Sequence, residues 1–462
     1  MRLLSLACAI ALGLSSVAAV AATPAAKVPG SEAIVSKTLT NGLKIIVWPD
    51  HDIPNANYYT FYKVGSRNEY PGITGLAHFF EHMMFNGTTR RAPGEFDRTM
   101  EAAGGSNNAS TSNDLTIYTD WFPSSALETI FDLEGDRMAN LSFDPKVVES
   151  ERGVVYSERR SSVDNDSFGT LLEQMQATAF TAHPYQFPTI GWPSDIEHWK
   201  SDDLKKFFKT YYAPNNAVLV IAGDVDPAQV FALADKYLAP LQKQPEPTPI
   251  TTVEPEQQGE RRIVVERADA QSPIVAYAFH TGLGAGSKDY PTLELLTTIL
   301  SQGDSSRLNQ RLVEQEQAAV QAGAFADQGF DPGLLTVYAM LPPSKDVAGD
   351  MAKVETLLDD ELAKVARNGV TAAELDKARN LKAASFWRGM ATINGKARAL
   401  GATEVFKGDY HKLFDTAAAY DAVTAADIQA LAKKILRVQN RTTGLLKPVA
   451  AAPSADNKEA AK

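Results

Sequence analysis

Residues 76–87, LAHFFEHMMFNG, set two histidines four positions apart with a glutamate immediately before the second. Only seven histidines occur in 462 residues, so the pair concentrates a scarce side chain. At about 100° per residue on a helix, Leu76, Phe79, Phe80, Met83 and Met84 share one face. His78 and His82 fall on the opposite side, roughly 40° apart, with Glu81 flanking them. The apolar half can therefore anchor the helix in a core while both imidazoles project toward one point. Two ring nitrogens presented this way can lie about 2.0–2.1 Å from a single zinc ion. A carboxylate beside them suits a general base, taking a proton from water that the metal acidifies. Gly87 is a natural stop for the helix.

A catalytic zinc takes a third protein ligand and keeps a fourth position open. The stretch DPKVVESERGVVYSERR, residues 144–160, is a source of one. Asp144 followed by Pro145 is a favourable helix start. Glu151 and Glu158 lie seven apart, two turns along one face. Residue type alone leaves Glu149, Glu151 and Glu158 open as ligands, and a solvated charged helix reads the same way.

The order His-x-x-Glu-His inverts the common zincin arrangement. GLAHFFEHMMFNGT, GGSNNASTSNDLTIY and ESERGVVYSERR together resemble the pitrilysin/insulinase family of zinc peptidases, which includes the mitochondrial processing peptidases. HPYQFPTIGWPSDI at 183–196 and GDSSRLNQRL at 303–312 are similar to family segments too, so the resemblance runs from about residue 35 to 446. It implies that His78, His82 and Glu158 bind one Zn2+ per chain, that Glu81 is the catalytic base, and that Glu151 supports the site. It also implies an edge strand, including Asn108 and Ala109, that holds the substrate backbone by strand addition. The implied fold is α+β. Two homologous domains, each a mixed, mostly antiparallel sheet packed with helices, would form half of a clamshell.

One departure matters. Family members with a complete site carry an arginine and, seven residues on, a tyrosine in the second domain, which assist substrate and transition-state binding. The aligned positions here are Val313 and Val320, and no tyrosine occurs between Tyr290 and Tyr338. The resemblance therefore implies a dimer, preferably a heterodimer whose homologous partner supplies the Arg and Tyr.

The elements that must position these residues follow from pattern. VSKTLTNGLKIIVWPD reads as two strands about an Asn41-Gly42 turn, and NANYYTFYKVG as another strand. AGGSNNASTSNDLTIYTDWF reads as one strand entered through glycines, flanked by helical stretches. DDLKKFFKTYYAPNNAVLVIAGDV is a helix, a turn and a buried strand ending at Gly223. AADIQALAKKILRVQNRTTGLLKPV repeats that order near the C-terminus, which points to two domains of similar plan. A chain of 462 residues is long enough for two or three domains. The Pro-, Gln- and Glu-rich stretch between them has linker composition. The expected division is 28–240 for the N-terminal zinc-binding domain, 241–260 for the linker and 261–447 for the C-terminal domain, which the resemblance makes inactive. Residues 448–462 are expected to form a disordered tail.

The first 22 residues have one positive charge, a short apolar run and small residues at Ala19 and Ala21. This is the layout of a cleaved signal peptide, and the resemblance favours the periplasm over full secretion. The run is too short to span a bilayer, and no later stretch is long and apolar enough. Cys8, the sole cysteine, lies inside this segment, so any metal site in the mature chain uses His, Asp and Glu. A net charge of −11 argues against a nucleic-acid binder. The expected function is a zinc-dependent endopeptidase acting on peptides or unfolded segments. The rivals are an assembly subunit, or a peptide-binding subunit that keeps zinc but has little activity alone.

Overall fold

The computed structural model describes residues 27–449. The signal segment, Cys8 and nearly all of the expected tail lie outside the described residues. The first half of the chain builds a six-stranded sheet in the order β1-β2-β6-β3-β5-β4. Its strands are β1 (Val35–Thr38), β2 (Lys44–Pro49), β3 (Asn55–Tyr62), β4 (Ser106–Thr111), β5 (Thr116–Pro123) and β6 (Ala217–Gly223). Its helices are α1 (Leu76–Met83), α2 (Glu95–Ala102), α3 (Leu127–Asn140), α4 (Pro145–Arg159), α5 (Ser167–Ala179), α6 (Pro193–His198), α7 (Ser201–Tyr211) and α8 (Pro227–Tyr237). β6, AVLVIAG, is buried along its whole length, as a central strand covered on both faces requires. It runs parallel to β2, whereas the other pairings in the sheet are antiparallel.

The second half repeats the plan with five strands in the order β7-β11-β8-β10-β9. These are β7 (Arg261–Arg267), β8 (Ile274–His280), β9 (Gln321–Ala326), β10 (Leu334–Met340) and β11 (Arg441–Pro448). The accompanying helices are α9 (Tyr290–Ser301), α10 (Val347–Asn368), α11 (Ala372–Met390), α12 (Ile393–Lys407), α13 (Thr416–Ala422) and α14 (Ala425–Ile435). β11 is parallel to β7, as β6 is to β2, so the repeated helix–turn–strand signal marks equivalent places in two mixed sheets. The fold is α+β.

The sequence reading of residues 103–122 as a single strand needs correction. The segment is a hairpin, β4 and β5, paired from Ser106↔Trp121 to Thr111↔Thr116. Its turn uses Ser112, whose backbone N–H bonds Leu115 O at 2.8 Å and whose Oγ accepts from Leu115 N at 3.1 Å. Ser112-Asn113-Asp114 is a turn cluster, and the single-strand reading passed over it.

Each half lends a helix to the other half's sheet. α12 crosses from the second half onto β3 and β6, burying Leu400 and Ala397 with Phe61, Val218 and Val220. α5 crosses the other way onto β7 and β11, where Leu171 and Met175 pack with Ala276 and Leu446. Ion pairs reinforce the exchange: Lys44–Glu404 at 2.7 Å and Lys396–Asp50 at 2.5 Å. Between the halves, Arg67 bridges Asp114 at 3.0 Å and Asp331, while the Tyr185 hydroxyl donates to Asp114 at 2.7 Å.

Candidate metal centre

α1 is held by one nearby carboxylate and by groups far away in sequence. Its N-terminus leaves backbone N–H groups without helical partners. The buried Glu69 carboxylate accepts from two of them, Gly75 N and Ala77 N, each at 2.7 Å. Gly75 has φ 88° and lies against Gly191 and the Ile190 carbonyl so closely that a side chain at either glycine would collide with backbone. Two buried tyrosine hydroxyls donate to carbonyls along the helix, Tyr212 to Ala77 O at 3.1 Å and Tyr118 to Phe80 O at 2.8 Å. Phe79 and Phe80 pack against Trp199 and Phe207. The apolar face is thus fixed and the opposite face is aimed.

α4 lies across α1, started by Asp144 accepting from Lys146 N and by Pro145 in its first turn. The structure brings His78, His82 and Glu158 together, with one potential ligand atom from each within 4.8 Å of the others. Glu158 Oε2 is 3.6 Å from His78 Nε2 and 3.3 Å from His82 Nε2. Tetrahedral ligands about 2.0–2.1 Å from zinc lie roughly 3.3 Å apart, so the donor set fits. Glu149 is exposed and paired with Arg152 at 3.2 Å, facing away from the cluster. Glu151 touches the other nitrogen of His82, Nδ1, at 2.8 Å, and also accepts from Asn86. With Nδ1 donating to Glu151, the His82 Nε2 lone pair is free toward the centre.

Charge supports the same fit. Burial, and then His82, push His78 down to about 4, which keeps it in the neutral form a metal ligand needs. Burial works to lower His82, but the Glu151 hydrogen bond and the Glu151, Glu158 and Glu81 charges raise it overall. Three carboxylates about two imidazoles make the centre a place where positive charge is stabilised, whether on His82 or on a cation. Behind Glu158, Arg159 is fixed by Glu173 at 2.8 Å and by the Gly191 carbonyl at 2.7 Å, tying α4 to the loop that meets Gly75.

Glu81 projects beside this cluster toward the sheet. Thr111, the last residue of β4, donates its hydroxyl to Glu81 Oε2 at 2.6 Å. Burial raises Glu81 above the usual carboxylate range, with the Thr111 bond opposing that shift. Asn108 and Ala109 lie on β4, which pairs with β5 on one side only and forms the sheet edge. Val313 packs against the core of the second half, and Val320, 56% exposed, stands just before β9. Sequence reasoning missed Glu69, Thr111, Tyr118, Tyr212 and Arg159. Glu69 lies six and eight residues before its partners, but the others are 14 or more residues from theirs, so no motif marked them.

Comparison with known proteins gives the chain's relatives. The profile for insulinase (peptidase family M16) matches residues 50–191, and that for the peptidase M16 inactive domain matches residues 198–382. The chain is 32% identical over 417 residues to the zinc protease PqqE of Helicobacter pylori, covering 89% of this chain and 92% of that one. It is 26% identical to the mitochondrial-processing peptidase subunit beta of Lentinula edodes, covering 86% of each. Among solved structures, a protease from Helicobacter pylori superposes with a TM-score of 0.85 at 31% identity, over 90% of this chain and 99% of that one. This chain belongs to the insulinase family of peptidases, family M16.

Proposed function

We propose that the chain is a zinc-dependent endopeptidase acting on peptides or unfolded segments, with His78, His82 and Glu158 holding one zinc ion. The observation that carries this reading is the juxtaposition of those three donors with a partly buried, hydrogen-bonded Glu81 at the end of an edge strand. Zinc, when bound, supplies Lewis acidity toward a carbonyl oxygen and toward water. Glu81 takes the proton of the attacking water and later delivers it to the leaving amine nitrogen. Thr111 occupies Oε2 and so orients the carboxylate. Glu151 fixes the His82 ring, and β4 at Asn108 and Ala109 pairs with the extended substrate backbone.

Residues 28–240 form the catalytic domain in this reading, 241–260 the connector and 261–447 a non-catalytic second domain. Val313 and Val320 leave the second half without polar donors at two positions, which favours a heterodimer with a homologous chain supplying Arg and Tyr. The same observation supports the second reading, a zinc-retaining peptide-binding or assembly subunit. Export by the N-terminal signal would place the protein in the periplasm. Among the described residues no helix is long and apolar enough to cross a membrane.

The test is peptide hydrolysis by the wild type and Glu81→Gln, with a chelator control, with and without a co-expressed homologue. Loss of a general base costs about 10²–10⁴-fold, so the variant should be nearly inactive. Near-normal turnover by the variant would remove Glu81 as the base. Zinc-replete wild type inactive in every combination would favour the binding subunit.

A further inference from the structure

A cavity of about 300 Å3 lies beneath the segment that joins the two halves, and it shares no residue with the metal centre. Its roof is Thr252–Gln257, and its floor comes from His183, His280, Thr281 and the end of α14. The roof is pinned on both sides. The Glu254 carboxylate accepts from the backbone N–H groups of Thr181, Ala182 and His183 at 2.8–2.9 Å. Gln257 Nε2 donates to Arg441 O at 2.7 Å and to Gly259 O at 2.9 Å. A composition that reads as linker is thus tied down, with an apolar residue, Val253, left 81% exposed at the cavity.

The free polar valence in the walls is one-sided. Gln257 is 5% exposed, yet its Oε1 has no donor. His280 donates Nε2–H to Ala179 O at 2.9 Å, so its Nδ1 is an acceptor, and no described residue reaches it. Asn440 donates Nδ2 to His280 O and Ile435 O, leaving Oδ1 likewise without a described donor. The acids in the walls are already engaged: Asp331 by Arg67 and His183, Glu254 by the backbone, Glu256 by Arg437. One cation is not. Lys434 Nζ lies beside Gly282, 3.7 Å from where a Cβ would stand, with no described carboxylate partner. The remaining surface includes Val253, Pro255, Pro332 and Ile435.

An acceptor buried without a donor is costly, and a ligand bringing N–H groups removes that cost. A primary ammonium carries three donors, one for the buried Gln257 Oε1 and two for His280 Nδ1 and Asn440 Oδ1, which open to the cavity's solvent. We propose that this cavity binds a free apolar α-amino acid. Its ammonium group meets Gln257 Oε1, His280 Nδ1 and Asn440 Oδ1, its carboxylate meets Lys434, and its side chain packs on Val253, Pro255 and Ile435. The volume is at the lower end of the range for small-ligand sites, as such a molecule requires. Because the walls come from both halves and the connector, an occupant would fasten all three together. The proposal does not rest on zinc binding or hydrolysis.

The test is calorimetric titration of the full chain with leucine, N-acetyl-leucine, leucinamide and Leu-Leu. His280 and His183 imidazole NMR signals report the place of binding. Leucine should bind saturably and shift the His280 resonance. N-acetyl-leucine should bind at least about tenfold more weakly, having lost the ammonium. Lys434→Met, at an exposed position, should weaken leucine about tenfold and leave leucinamide unchanged. Binding should persist in His82→Ala, which separates this cavity from the metal centre. No saturable binding of leucine up to about 10 mM would overturn the proposal. So would equal affinity in Lys434→Met, loss of binding in His82→Ala, or binding of Leu-Leu without leucine.

Discussion

Replacing Gly401 with alanine sets two effects of similar size against each other. Gly401 lies within α12, where the helix from the second half presses on β3 of the first sheet. In a helix interior, Gly→Ala ordinarily gains about 1 kcal/mol from propensity and reduced unfolded-state entropy. A Cβ here would come within 2.6 Å of Phe61 Cδ2, and closer still to Cε2 and Cζ. Phe61 is fully buried and stacks on Tyr59, with ring centroids 5.8 Å apart, so it has little room to turn. Overpacking of this kind costs about 1–3 kcal/mol, and rigid ring atoms place it toward the upper end. The net expectation for Gly401→Ala is a loss of roughly 1–2 kcal/mol. Gly153→Ala in α4 is the matched control, because nothing lies within 4 Å of its Cβ position. It should gain up to about 1 kcal/mol. Thermal unfolding of both variants should give Tm shifts of opposite sign, each of a few °C or less, about what such energies produce in large domains. A Gly401→Ala protein as stable as Gly153→Ala would refute the account of how α12 locks the halves together.

Gly444→Ala, the counterpart under α5, should cost less than Gly401→Ala, since the Cβ would meet the flexible Met175 side chain, Cγ at 2.5 Å, rather than a ring; the same unfolding assay decides the order. Glu69→Gln puts an amide NH2 against one of two buried N–H groups and should cost about 1–3 kcal/mol in chemical denaturation, with weaker zinc retention. Thr111→Val should keep zinc but lower kcat by about ten- to a hundredfold, the worth of one hydrogen bond to a charged acceptor, as measured by steady-state kinetics with parallel metal analysis. In the second half, burial works to raise Glu374, but bonds from Arg307 and Thr371 pull it down to about 2. Its folded value is below the unfolded one, so its stabilisation is present above pH 4.5 and fades as pH falls toward 2. The stability gap between wild type and Glu374→Gln should close over that interval, and a gap unchanged down to pH 2 would contradict the assignment.

The part of the site that sequence reveals is the part built within one helix. His78, Glu81 and His82 follow from a spacing of three and four residues, and the apolar face opposite them predicts which way they point. Glu158 is different. Residue type left Glu149 and Glu151 equally open, the family resemblance chose Glu158, and the way α4 lies across α1 gives the physical reason: Glu149 outward on Arg152, Glu151 on the back of the His82 ring, Glu158 toward both Nε2 atoms. The order of elements along the chain was readable where a helix–turn–strand unit recurred, at Gly223 and again before Pro448. The β4–β5 hairpin was missed although Ser112-Asn113-Asp114 is a turn cluster, because the glycines at 104 and 105 drew the break to the strand's entry. The exchange of α5 and α12 between halves was also hidden. An amphipathic helix displays an apolar face but not the sheet it will cover, and the partners Leu171–Leu446 and Leu400–Phe61 are hundreds of residues apart.

The most direct test of the central claim is zinc stoichiometry in the purified wild type and in Glu158→Gln. The account predicts one zinc per chain in the wild type and strong loss in the variant, because two imidazoles on one helix then lack the carboxylate that closes the ligand set. Full zinc occupancy in Glu158→Gln would contradict the account and move the third ligand to Glu151.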